Sequence, residues 1–170
     1  MRTLHTKLES TTEIHAQLTL PFHLREKSRF RASLSSGEDV AVLTVRGSIL
    51  RDGDLISTED GFVVKIVAAP EPTYRVACNT APALLRCAFH LGNRHTQAQV
   101  GEGFLRIRQD SVLKEMLEGL GATVTEEQAA FEPEAGAYGG GHHHGDDGHM
   151  HNPLAPIPLR QKIHRPSDKP

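Results

Sequence analysis

The sequence predicts an α+β protein: a small all-β domain, then a ferredoxin-like βαββαβ domain, then a disordered histidine-rich tail. Three observations carry this. Apolar residues alternate with a period of two through the first seventy positions, between tight-turn signals. A β-α-β-β-α-β order can be read from 74 to 134. Beyond Glu132-Pro133-Glu134 the apolar content collapses into glycine, histidine and proline.

In the first domain, residues 1–70, Ile14, Ala16, Leu18, Leu20 and Phe22 alternate as a half-buried strand, limited at its end by Pro21. Phe30, Ala32 and Leu34 face one way, and Arg29, Arg31 and Ser33 the other. The turn Ser35-Ser36-Gly37-Glu38 leads into the β-branched run Val40 to Val45, which makes a hairpin. Short strands at 48–50, 55–56 and 62–67 flank the turns Asp52-Gly53 and Asp60-Gly61. Acidic residues at Asp52, Asp54, Glu59 and Asp60 suit those turns and need no catalytic explanation. Arg25, Lys27, Arg29 and Arg31 read as the solvated face of an edge strand, where charge discourages aggregation. Ala69-Pro70-Glu71-Pro72 then reads as a stiff connector between domains.

In the second domain, residues 74–134, a strand at Tyr74 to Cys78 precedes a helix capped by Thr80, with Pro82 in its first turn. Leu84, Leu85, Ala88 and Phe89 form its apolar face, and Gly92 is placed to end it. Strands at 97–100 and 104–108 join through Gly101-Glu102-Gly103. A second helix, capped by Asp110 or Ser111, presents Val112, Leu113, Met116, Leu117 and Leu120 and stops at Gly121. The last strand begins at 122–125. Residues 136–170 cannot bury enough surface to offset their ordering entropy, so the tail is expected to be disordered.

Composition excludes several classes. Hydrophobic residues make up 38% of 170, yet no run reaches the roughly 18 apolar residues of a membrane helix. The opening stretch MRTLHTKLESTTE has no signal-peptide core, so a cytosolic protein is expected. The net charge of -2 gives no electrostatic footprint for nucleic acid. Cys78 and Cys87 form no CxxC and are expected reduced. No HExxH, P-loop or nucleophile elbow is present, so no catalytic activity is expected.

Histidine is the outlier, at 11 residues. His142, His143, His144, His149 and His151 lie in GGGHHHGDDGHMH, where flexible glycine lets several imidazoles converge on one divalent ion and Asp146 and Asp147 can add oxygen ligands. The bland reading is a solvated low-complexity tail. His95 follows the helix-ending glycine and reads equally as a structural hydrogen-bonder or as a ligand. One histidine makes no strong site, but a two-fold dimer brings two copies together. His90, near the helix end, reads first as a favourable charge on the helix dipole.

The motif Gly92-Asn93-Arg94-His95 resembles the UreE urease accessory proteins, a family of nickel metallochaperones. So do LTLPFHLREKSRFRASL (Leu18 to Leu34), RGSILRDGDLI (Arg46 to Ile56), AFHLGNRHTQAQVGEGFLRI (Ala88 to Ile107), VLKEMLEGLGATV (Val112 to Val124) and FEPEAGAYGGGHHH (Phe131 to His144). The resemblance implies a peptide-binding β domain followed by a ferredoxin-like metal-binding domain. It implies a homodimer in which His95 of both subunits binds nickel(II) across the interface, with zinc or copper as competitors. It implies partners in the urease apoprotein complex and the urease accessory GTPase. Some family members carry a His-x-His pair ahead of the second helix; Gln109 and Ser111 stand at those positions here, so that site is expected to be missing. The rival is an RNA- or protein-interaction module with a metal-storage tail. RNA-binding domains of this topology stack bases on aromatics in their central strands, and these strands offer only Phe104.

Overall fold

The computed structural model describes residues 1–135. Its first part is built from seven short strands and one helical turn: β1 (Arg2–Leu4), β2 (Thr6–Leu8), β3 (Ala16–Leu20), α1 (Phe22–Arg25), β4 (Arg29–Ser33), β5 (Asp39–Leu43), β6 (Leu55–Ser57) and β7 (Val63–Ala68). They form two sheets, ordered β1-β5-β4 and β2-β6-β7-β3. Alternation buries Val40 and Val42 from the first sheet and Leu18, Leu20, Ile56, Val64 and Ile66 from the second in one shared core. The expected hairpin is β4–β5, with Ser33 opposite Asp39.

Several local expectations needed correction. Strands β1 and β2 lie in an opening segment too short and polar to announce them. The strand expected from Ile14 is shorter: Ile14 is exposed, and Phe22 has turned into α1 after Pro21. No strand forms at 48–50; a turn through Gly47 (φ 84°) has Ser48 N–H donating to the Val45 carbonyl at 3.0 Å. Leu50 alone is buried there, held by its N–H on the Arg25 carbonyl at 2.9 Å.

The second part comprises β8 (Pro70–Ala77), α2 (Ala81–Asn93), β9 (Gln99–Gly101), β10 (Phe104–Arg108), α3 (Ser111–Gly119) and β11 (Thr123–Ala130). The antiparallel sheet is ordered β11-β8-β10-β9, which is the split βαβ arrangement that the element order predicts. Tyr74, Val76, Leu105 and Ile107 pack against Cys87, Leu91 and Leu117 of the two helices.

The connector at 69–72 is the largest correction. It is extended, but Pro70 and Pro72 belong to β8 and pair with Ala130 and Gln128 of β11. Residues of one parity direct their backbone N–H to one side of a strand. β10 ends opposite Thr73, so both prolines lie beyond its pairing with β8 and leave no β10 acceptor without a donor.

Arg25 is the second correction. Lys27, Arg29 and Arg31 are exposed as expected, and β4 is an edge strand. Arg25, however, is 0% exposed. Its Nε donates to the Leu20 carbonyl at 3.1 Å, Nη1 to the Leu50 carbonyl at 3.2 Å and Nη2 to the Phe131 carbonyl at 2.6 Å. Nη1 also pairs with Glu132, whose other oxygen meets Arg51 at 3.0 Å. Phe131, buried, meets Phe22 edge-on with centroids 5.4 Å apart. The guanidinium thus ties the β sandwich to the segment that leaves β11. Removing one partner of a buried pair costs roughly 3–5 kcal/mol, because the others stay buried without donors. Arg25→Ala is therefore expected to lower the urea unfolding free energy by about 3 kcal/mol or more. A change within about 0.5 kcal/mol of the parent, the level of an ordinary surface substitution, would contradict this role.

Candidate metal centre

Thr80 opens α2 as its cap: its backbone is extended and its hydroxyl accepts the Ala83 N–H at 3.3 Å. The buried stripe runs through Leu84, Cys87, Ala88 and Leu91. Leu85 and Phe89, expected in that stripe, are 69% and 63% exposed, and Val112 of α3 is 63% exposed. The helical period admits either neighbouring stripe; packing on the sheet selects the one containing Cys87 and Leu91.

The helix does not end at Gly92. It runs to Asn93, with Arg94 as cap, and the residue that turns the chain is His95, at φ 53°. Thr96 N–H donates to the Leu91 carbonyl at 3.1 Å and His95 N–H to the Gly92 carbonyl at 2.9 Å. These are the two bonds of a Schellman motif, in which the left-handed position is ordinarily glycine. Helix α3 ends the same way: Ala122 N–H donates to the Leu117 carbonyl at 3.0 Å and Gly121 N–H to the Glu118 carbonyl at 2.9 Å, with Gly121 at φ 86°. His95 therefore stands where the same protein elsewhere uses glycine. It is the only non-glycine residue at positive φ among the described residues. A left-handed conformation costs an L-residue roughly 1–2 kcal/mol, and such a cost at an exposed position points to function rather than packing.

The exposed His95 lines an open groove of about 650 Å³ with Glu26, Gln97, Arg108, Gln109 and Asp110. Most of these groups are engaged with one another. Gln97 Nε2 donates to Glu26 at 3.2 Å, and Arg108 Nη2 donates to Gln97 Oε1 at 3.0 Å. Asp110 Oδ1 caps α3, accepting from Val112 and Leu113 N–H at 2.9 and 3.0 Å. Gln109 brings no imidazole to the groove. Among the described residues no group of three or more His, Cys, Asp or Glu is placed to hold a metal. Among the described residues His95 is the one imidazole that lines this groove.

Two of the other histidines, His90 and His15, have local partners. His90 lies in the last turn of α2, edge-on to Phe89 with centroids 5.5 Å apart. His15 Nδ1 accepts the Val63 N–H at 3.0 Å, and its ring lies 4.9 Å from that of Phe62. His142, His143, His144, His149 and His151, with Asp146 and Asp147, lie outside the described residues. In the β11-β8-β10-β9 sheet Phe104 opens β10, but Arg75 covers its ring at 4.0 Å and the ring packs over Gly101.

Among the described residues no helix is long and apolar enough to cross a membrane. Two family models match: UreE urease accessory protein, N-terminal domain, over residues 1–69, and its C-terminal domain over residues 71–154. The chain is 65% identical over 174 residues to the urease accessory protein UreE of Nitrosospira multiformis, covering 100% of this chain and 99% of the relative. It is 72% identical over 177 residues to that of Janthinobacterium sp. (strain Marseille), covering 99% of each. Against that of Burkholderia vietnamiensis it is 50% identical, over 86% of this chain and 77% of the relative.

Replacing His95 with glycine relieves the left-handed conformation without breaking either hydrogen bond. His95→Gly is expected to raise the unfolding free energy by about 1 kcal/mol, read as a higher urea midpoint at unchanged slope. A fall in stability would mean that the imidazole, not the backbone, holds this corner.

Proposed function

The chain belongs to the UreE urease accessory protein family, and on that premise we propose that it is a non-catalytic nickel(II) chaperone for assembly of the urease active site. The observation that carries the proposal is His95, exposed and held in a conformation that suits glycine better. Neutral imidazole is a good nickel ligand, and zinc and copper compete for the same donors. A single imidazole binds weakly, so the site needs a second copy of the chain. In a two-fold dimer the two His95 rings meet across an isologous contact. Exposed Leu85 and Phe89 on α2, the helix that His95 terminates, favour such a contact.

The tail histidines 142, 143, 144, 149 and 151 add ligands and raise the local donor concentration. The β domain, residues 1–70, carries no metal motif and is the surface we assign to the urease apoprotein complex. The urease accessory GTPase is the second partner we assign, and the cytoplasm the compartment. An RNA-binding reading has less support, because the ring that would stack a base, Phe104, is already covered.

Calorimetric nickel titration with light scattering tests this on the full chain, a truncation after Tyr138 and full-length His95→Ala. The expected result is one tight nickel per dimer in the truncation and loss of that site in His95→Ala. If the truncation loses all binding and His95→Ala loses none, nickel is held by the tail and the shared-histidine site is wrong. Imidazole binds metal only when neutral. Affinity of the truncation should therefore weaken as acid protonates the ligand. An affinity unchanged between about pH 8 and 5.5 would exclude imidazole ligation.

A further inference from the structure

Cys78 ends the strand side of the β8–α2 connection, and Cys87 sits in the middle of α2. Neither is disulfide-bonded, yet their sulfurs are 3.8 Å apart. A disulfide needs about 2.0 Å between sulfurs, so the closing movement is small. Cys78 lies immediately before the bend at Asn79-Thr80, outside both β8 and α2, where the backbone has slack. The two thiols differ in access: Cys78 is half-buried, and Cys87 is 0% exposed in the core beneath α2.

We propose that Cys78 and Cys87 form a thiol–disulfide couple oxidised by a small-molecule disulfide such as glutathione disulfide. Cys78 is the entry thiol and Cys87 the resolving one. The Cys78 thiolate attacks one sulfur of glutathione disulfide, breaks its S–S bond and releases one glutathione thiolate. The Cys87 thiolate then attacks the Cys78 sulfur, displaces the second glutathione and closes the intramolecular bond. Two protein thiols give up two protons and two electrons, and the oxidant becomes two glutathione thiols. Burial blocks direct attack on Cys87, so only the sulfur beside it can react with it.

Burial, and then the neighbouring Cys78 thiol, push the Cys87 thiol up to about 11. The resolving step is accordingly the slow one and speeds up with alkali. Once formed, the bond fixes α2, the helix that His95 follows, to the end of β8. The inference is independent of the nickel reading, since neither sulfur lines the groove at His95.

The test is treatment of the reduced full-length protein with excess glutathione disulfide, followed by intact mass, alkylation and a non-reducing gel. The expected product is a single chain lighter by two hydrogens, with no alkylatable thiol, restored by dithiothreitol. Cys87→Ser should instead accumulate one glutathione per chain, and Cys78→Ser should stay unmodified while folded. A stable glutathione adduct on the parent protein, a disulfide between chains, or two thiols that remain alkylatable would each overturn the proposal.

Discussion

The Leu91 carbonyl accepts the Thr96 amide and the Gly92 carbonyl accepts the His95 amide, and this pair of bonds decides where the chain goes after α2. It reverses direction at a left-handed residue and runs on through Gln97 into β9. That path puts an imidazole on the rim of the groove, with its backbone pinned. The comparison within the molecule is direct, because Gly121 makes the equivalent turn after α3. The same hydrogen bonds form at both ends, so the histidine is not required by the turn. On the proposed reading it lowers the stability of the corner slightly in exchange for a ligand there, the trade expected of a functional position.

Arg25 does for the whole molecule what that corner does for the site. Its hydrogen bonds reach the Leu20 and Leu50 carbonyls in the sandwich and the Phe131 carbonyl beyond β11. Glu132 adds charge compensation and also bonds Arg51 and the Asp52 amide. Two residues further on, Glu134 N–H donates to the Ala98 carbonyl at 2.9 Å, and Glu132 N–H to Gln99 Oε1 at 3.0 Å. The segment leaving the last strand is thereby fastened both to the β sandwich and to the stretch that follows His95.

Much of this was legible in the residues. Alternation at Phe30, Ala32 and Leu34, and the β-branched run from Val40, gave the hairpin because period two has few other solutions. Thr80 and Asp110 marked helix starts because a side-chain oxygen before an apolar stripe satisfies free amides. The helix end at Gly92 was misread because glycine usually takes the left-handed position and the chain placed a histidine there three residues later. The stripe containing Leu85 and Phe89 was misread because helical spacing alone does not say which neighbouring stripe meets the sheet. Arg25 looked solvated among Lys27, Arg29 and Arg31; its burial depends on carbonyls up to 106 positions away, which no local pattern encodes. The candidate site itself was legible as a histidine, but its backbone conformation was not.

The central claim is that two chains present His95 to one nickel ion. Nickel K-edge X-ray absorption on the nickel-loaded chain truncated after Tyr138 addresses it most directly, since no tail imidazole remains. The account predicts outer-shell scattering from two imidazole rings per nickel, lost in the same truncation carrying His95→Ala. A spectrum showing only oxygen donors, or one unchanged by that substitution, would contradict it.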